Sequence, residues 1–371
     1  MNEILIDGKT YKLVCAWRNS KKDNSKDIKG NIYPFPKTEL LWTGQSQFVE
    51  RLTDIQKYLF KKKINKHKCM DCLICDGKCV SSSNFSLGKY MWDDSLIHYI
   101  SKHNIKPPEE FMDKIWNFEM SENDEPVTIL GKVFIKKQKK YLKLGKNQIM
   151  IFDALMKHGG YSKKYYDTKN ENVIRYSEHA GYIDIKGKNI QNIIVSGNTM
   201  RVDRGDEEIF LPMGSPETYS YKYIFHTHPP TPKPGGRVED GILYEFPSIG
   251  DILHFIDHHN DGQTTGSLVM TPEGLYNIRK LEIDSKKIEI DEDEMYNEMR
   301  KVLRLAQVKA IKEYGEKFST YFFYSNISQN KKYVEMINKK LNKYQLTIDF
   351  YPRSKDFRGS WIVDTVYVPI L

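Results

Sequence analysis

The sequence predicts an α/β fold: a helix-and-sheet sandwich preceded by a small cysteine–histidine module and followed by an α+β segment. Three observations predict it. Short β-branched and aromatic runs alternate with amphipathic helical stretches from about Tyr141 to Glu282. Four of the five cysteines, Cys69, Cys72, Cys75 and Cys79, fall within eleven residues. Beyond residue 285 a charged helical pattern gives way to further strand-like runs. These divide the chain into 1–120 with the module at about 64–118, a linker at 121–140, a sandwich at 141–285 and an extension at 286–371.

At the N-terminus, Ile4 and Ile6, then Tyr11, Leu13 and Cys15, alternate as in a small β element, with Cys15 as a buried, inert thiol. Ser46 to Lys63 is an amphipathic helix with Phe48, Leu52, Ile55 and Leu59 on one stripe. It ends in Lys61-Lys62-Lys63, read as a solvated basic end favoured by the helix dipole, with a phosphate-contacting patch beside the cysteine–histidine module as the alternative.

The cysteines come next. With no secretory signal, such crowding favours metal over disulfides. Cys72-Leu-Ile-Cys75-Asp-Gly-Lys looks like a zinc knuckle. His98 and His103 lie in a helix that Asp93 or Asp94 would cap, and they complete a Cys2His2 set for a structural zinc. A rival grouping replaces the histidines with Cys69 and Cys79; an iron–sulfur cluster is a third reading, although Val80 stands where such runs usually carry proline. Pro107-Pro108-Glu109-Glu110 then opens a short helix through Ile115 and Trp116.

Past the linker, Gln148 to Lys157 reads as a helix stopped at His158-Gly159-Gly160, and Glu178 and Gln191 to Val195 read as strands. Tyr221 to Phe225 is a buried strand that runs into His226-Thr227-His228 and stops at two prolines. A strand repeats every two residues, so both imidazoles leave the same face. Ser248 caps the next helix and shares its first turn with Asp251. Two imidazoles and one carboxylate are the ligand count of a catalytic zinc with an open fourth position. His254, His258 and His259 lie on a helix leading away from Asp251 and are not assigned as ligands. The insert between His228 and Ser248 is rich in Pro and Gly and reads as a surface loop. Ser267 to Ile278 is a strand pair; Asp291 to Glu316 is a helix buried through Met295, Met299, Val302 and Ala306. A helix near Tyr333 to Leu341 and strands at Leu346 to Phe350 and Trp361 to Val368 close the chain.

At these residues the sequence resembles the JAB/MPN metalloproteases, whose JAMM motif is a Glu followed by His-x-His-Pro and Ser-x-x-Asp. The matching positions are Glu178 with Gly181, His226, His228, Ser248 and Asp251, and the resemblance covers about Leu142 to Glu282. The spacer from His228 to Ser248 is longer than the family's. The resemblance implies a JAB/MPN-like αβα sandwich and a zinc-dependent (iso)peptidase, deubiquitinase-like, acting by attack of a zinc-bound water. His226, His228 and Asp251 would hold that zinc. Glu178 would serve as general base and then acid, and Ser248 would stabilise the oxyanion, an effect of ~3 kcal/mol. The implied substrates are conjugates of ubiquitin or a ubiquitin-like modifier, and a partner protein of the same fold is a further expectation. The alternative is a non-catalytic scaffold or nucleic-acid-associated protein that uses the zinc module for binding.

The formal charge of +8, from 57 basic and 49 acidic residues, permits contact with nucleic acid without requiring it. The chain shows no signal peptide and no apolar run of membrane-spanning length, so the expected setting is intracellular, cytoplasmic or nuclear. Its richness in Lys, Asn and Ile suits an AT-rich source such as a large DNA virus.

Overall fold

A computed structural model describes residues 1–60, 65–120, 127–129, 132–134, 140–161, 165–167, 170–175, 178–196, 220–229, 234–315 and 319–370. The predicted Lys61–Lys63 patch lies outside them. Two units divide the chain, Met1–Gln138 and Lys139–Leu371.

The first unit begins with a hairpin, β1 (Asn2–Ile6) and β2 (Lys9–Leu13), whose Asp7-Gly8 turn takes positive φ at both residues. Asp-Gly supplies that conformation at low cost, which fixes the register. Helix α1 (Gln45–Phe60) buries Phe48, Leu52 and Ile55 as expected; Tyr58 is buried where Leu59 was expected. Strands β3 (Asn65–Met70), β4 (Ser81–Leu87) and β5 (Tyr90–Asp93) join the hairpin in one five-stranded sheet, ordered β1-β2-β5-β4-β3. The N-terminal hairpin and the cysteine segment therefore share a sheet. Helix α2 (Leu96–His103) follows Ser95 as N-cap, not Asp93 or Asp94; the Asp93 carboxylate instead accepts the Ser95 N–H. Helix α3 (Glu109–Trp116) packs Phe111 against Phe48, Tyr90 and Trp92. The expected linker contains a short antiparallel pair, β6 (Val127–Ile129) and β7 (Lys132–Phe134).

The second unit is mixed α/β. Strand β8 (Lys140–Leu144) leads into α4 (Lys146–Tyr161), which runs on past the expected stop at His158. A small pair follows, β9 (Tyr165–Asp167) with β10 (Asn170–Arg175). The main sheet is then built from β11 (Ala180–Lys186), β12 (Asn189–Val195), β13 (Tyr223–Thr227), β14 (Gly266–Met270) and β15 (Gly274–Lys280). Helix α5 (Ile249–Asp261) lies in the crossover from β13 to β14, which are parallel. After α6 (Glu292–Tyr314), short α7 (Thr320–Phe322) with a π-helical turn, and α8 (Lys332–Leu341), strand β16 (Leu346–Pro352) returns to the sheet beside β15. The six-stranded order is β12-β11-β13-β14-β15-β16. A hairpin of β17 (Ser354–Lys355) and β18 (Trp361–Ile362) follows, and β19 (Val366–Ile370) pairs with β8.

Residues 286–371 are thus not an appendage: they supply an edge strand of the sheet and much of its cover. Alternation along the strands sorts the core. Val269, Tyr276, Ile278, Ile348 and Phe350 pack with α5, α6 and α8, while Phe225, Leu268, Leu275 and Tyr351 pack with α4, β8 and β19. Helical cover on both faces leaves polar groups at the strand ends, where a site can form.

Candidate metal centre

His226 is the penultimate residue of β13 and His228 lies just beyond the strand. Since Tyr223 and Phe225 belong to the α4 face, period two sends His226 and His228 to the α5 face. There Ser248 caps α5: its hydroxyl oxygen accepts the Asp251 N–H at 3.1 Å, and the Asp251 carboxylate accepts the Ser248 N–H at 2.5 Å. This reciprocal cap fixes the Asp251 rotamer. Three donors then converge. His226 Nε2 stands 3.0 Å from Asp251 Oδ1, His228 Nε2 3.3 Å from Asp251 Oδ2, and the two Nε2 atoms 3.2 Å apart. Ligands on a tetrahedral zinc at about 2.0–2.1 Å would be about 3.4 Å from one another. The donor set fits a metal ion.

His228 Nδ1 faces the Glu245 carbonyl oxygen at 3.1 Å, which assigns the proton to Nδ1 and leaves Nε2 its lone pair. Burial opposes the His228 imidazolium. Hydrogen bonding and charge from Asp251, with Glu178 and Glu245, outweigh that and hold its pKa at about 10. Burial likewise opposes the Asp251 carboxylate, but His226 and His228 hold its pKa well below the usual range.

Glu178 lies two residues before β11, not within a strand. The register still places it, because Ala180 pairs with His226 and His179 exchanges bonds with Thr227. Glu178 therefore falls opposite His228 and on the same face, close enough to act on its charge. Gly181 permits this approach: a Cβ there would sit 2.0 Å from the Ile194 carbonyl oxygen and 2.7 Å from the Phe225 ring. Ser248 is exposed at the rim.

The insert departs from its expected character. Pro230–Lys233 lies outside the described residues, but Leu243, Tyr244 and Phe246 are buried core, not surface loop. Gln307 of α6 clamps them: Oε1 accepts the Leu243 and Tyr244 N–H groups at 2.9 and 3.2 Å, and Nε2 donates to the Tyr244 carbonyl at 2.6 Å. That clamp positions the Glu245 carbonyl behind His228. On the other side, the His228 N–H donates to the Met270 carbonyl at 2.9 Å. Buried Arg353 locks the following turn by donating to the Thr271 and Pro272 carbonyls and pairing with Asp153.

In the first unit, Cys72, Cys75, His98 and His103 form a group that can hold a metal ion. Cys72 Sγ is 3.3 Å from His103 Nε2 and Cys75 Sγ 3.5 Å from His98 Nε2, against about 3.5 Å expected on a tetrahedral zinc. Burial lowers the pKa of both histidines, which favours the neutral ring a metal ligand needs. Burial opposes the Cys72 thiolate, but N–H groups of Ile74 and Cys75 lower its pKa. Gly77 makes the tight turn fit, since a Cβ would lie 3.1 Å from His98. Cys69 and Cys79 are not alternative ligands: they are joined in a disulfide whose Cα atoms lie 5.1 Å apart, bracketing the knuckle. Their pairing runs against the expectation of metal over disulfides, and follows from β3 and β4 bringing the two ends of the loop together. Cys15, expected to be buried, is half-buried, and burial with the charge of Glu39 pushes its thiol up to about 12.

A third group, His67, Asp93 and Asp94, also gathers, but its carboxylates bind the Ser95 and Ser82 N–H groups. His254, His258 and His259 join no metal-holding group among the described residues. No helix among the described residues is long and apolar enough to cross a membrane.

No family model matches the chain, and no solved structure matches it. It is similar to an uncharacterized protein, R413, of Acanthamoeba polyphaga mimivirus, with 31% identity over 300 residues spanning 78% of this chain and 83% of that one.

Proposed function

The chain belongs to the same family as the mimivirus protein R413, and from the site above we propose that it is a zinc-dependent (iso)peptidase with a JAB/MPN-like catalytic sandwich. One observation carries the reading. The Nε2 atoms of His226 and His228 lie 3.2 Å apart, each within 3.3 Å of one Asp251 carboxylate oxygen, and a glutamate on the same face stands opposite His228. A zinc ion held there would supply Lewis acidity towards a carbonyl and towards water.

The chain's own residues supply the rest. Glu178 takes the proton from the attacking water and returns it to the leaving amine. The Ser248 oxygen is engaged with the Asp251 N–H, so its own O–H is available to donate to the developing oxyanion. Cys72, Cys75, His98 and His103 hold a second, structural zinc. The substrate class, a conjugate of ubiquitin or a ubiquitin-like modifier, rests on the motif resemblance.

The test is cleavage of a panel of di-ubiquitins and ubiquitin-like conjugates by zinc-loaded protein, with E178Q as control. Cleavage by wild type, reduced at least 100-fold in E178Q at unchanged zinc content, is the expected result. Equal behaviour of the two proteins on every conjugate overturns the reading in favour of a scaffold.

A further inference from the structure

The β17–β18 hairpin carries aromatic rings and cations in alternation, and the metal centre uses none of them. The Asp356 carboxylate fixes its turn by accepting the Arg358 and Ser360 N–H groups, both at 2.9 Å, and Gly359 takes φ +82°. The turn holds Phe357 outward with 87% of its surface exposed, while Tyr321 nearby is 67% exposed. Lys355 Nζ lies 5.3 Å from the Tyr321 ring centroid and 5.4 Å from that of Trp361. Trp361 in turn stacks on Tyr324 at 5.8 Å. Lys146 and Arg358 stand 6.0 and 5.2 Å from the Phe357 ring. The one carboxylate at the tip, Asp356, pairs with Lys146 at 3.6 Å, so the patch keeps an excess of positive charge.

We infer that this hairpin is a docking surface for single-stranded nucleic acid, with Phe357 and Tyr321 as stacking platforms, Trp361 as the ring that seats Lys355, and Lys355, Arg358 and Lys146 as phosphate contacts. Rings interleaved with cations match a polymer that alternates planar bases with anions. Unpaired bases can reach those ring faces, whereas bases within a duplex cannot. Two other anionic partners fit less well. An acidic peptide would meet the cations but leave the ring faces without planar partners. For a membrane, one protruding ring contributes only about 2–3 kcal/mol, short of a stable anchor, and Asp356 at the same tip opposes an anionic bilayer.

The test uses the full zinc-loaded chain and fluorescein-labelled dT20, read by anisotropy. Three phosphate contacts predict a loss of roughly 20-fold in affinity between 50 and 200 mM salt. F357A removes only an exposed ring and is expected to weaken binding about tenfold; F357A/Y321A, which removes both exposed rings, weakens it further. K355A/R358A flattens the salt dependence. Any of four results overturns the inference: no binding of dT20; wild-type binding in F357A and K355A/R358A, which would move the contact to another basic segment; competition by a polyglutamate peptide as strong as by dT20; or adsorption to phosphatidylserine vesicles in place of the oligonucleotide. The readout is binding, so it stands or falls apart from peptide cleavage.

Discussion

Replacing Glu273 with Gln should stabilise the protein at pH 8.5 and change little at pH 5. Glu273 is fully buried in the turn between β14 and β15, next to the strand end that supports His228. One carboxyl oxygen accepts the Tyr276 hydroxyl at 2.9 Å; the other has no hydrogen-bond partner among the described residues. Burial, with the nearby charge of Glu245, pushes the pKa from 4.5 to about 7. The folded pKa thus exceeds the unfolded one, so the native state binds the proton more tightly. Stability from this group is fully present below pH 4.5 and is lost as pH rises through about 7. At 1.36 kcal/mol for each pH unit, the gap between 4.5 and about 7 amounts to about 3 kcal/mol. Glutamine keeps the shape and removes the charge. The measurement is the difference in unfolding free energy between E273Q and wild type, from urea titrations at pH 5 and pH 8.5 in excess zinc. Metal effects common to both proteins cancel in the double difference. A difference that does not change with pH would show that the carboxyl is solvated or ionised at both pH values, and the reasoning would fail.

Metal content gives a second expectation. Wild type should carry two zinc ions by elemental analysis, H226A/H228A one and C72S/C75S one; a wild-type content below one removes both sites. A third concerns the clamp on the insert. Q307L leaves the Leu243 and Tyr244 N–H groups without their acceptor and should cost about 2 kcal/mol of stability. Because the same segment aims the Glu245 carbonyl at His228, zinc affinity at the triad should fall roughly tenfold in a chelator competition. Unchanged affinity would refute the support assigned to that carbonyl.

The residues that could hold a metal were legible because their placement is local. Period two along β13 put both imidazoles on one face, and a serine three residues before an aspartate announced the start of α5. Gly77 and the two-residue spacing of Cys72 and Cys75 were equally local. What supports these residues was not legible. Gln307 reaches the insert across 63 residues, and Arg353 reaches Asp153 across 200, distances no periodicity encodes. Strand β4 begins Ser-Ser-Ser, yet Ser81 and Ser83 point inward, so polarity hid an alternating strand. Strand β16 read as part of a separate extension because its pairing with β15 skips three helices.

Asp251 uses one carboxylate both to begin a helix and to face two imidazoles. The winding of the first turn of α5 is therefore coupled to whatever neutralises those rings. Any ligand that drew the carboxylate further towards the rings would loosen its hold on the Ser248 amide, and with it the first turn of the helix. Isotope exchange of the backbone amides at the start of α5 would then report on whatever binds between those side chains.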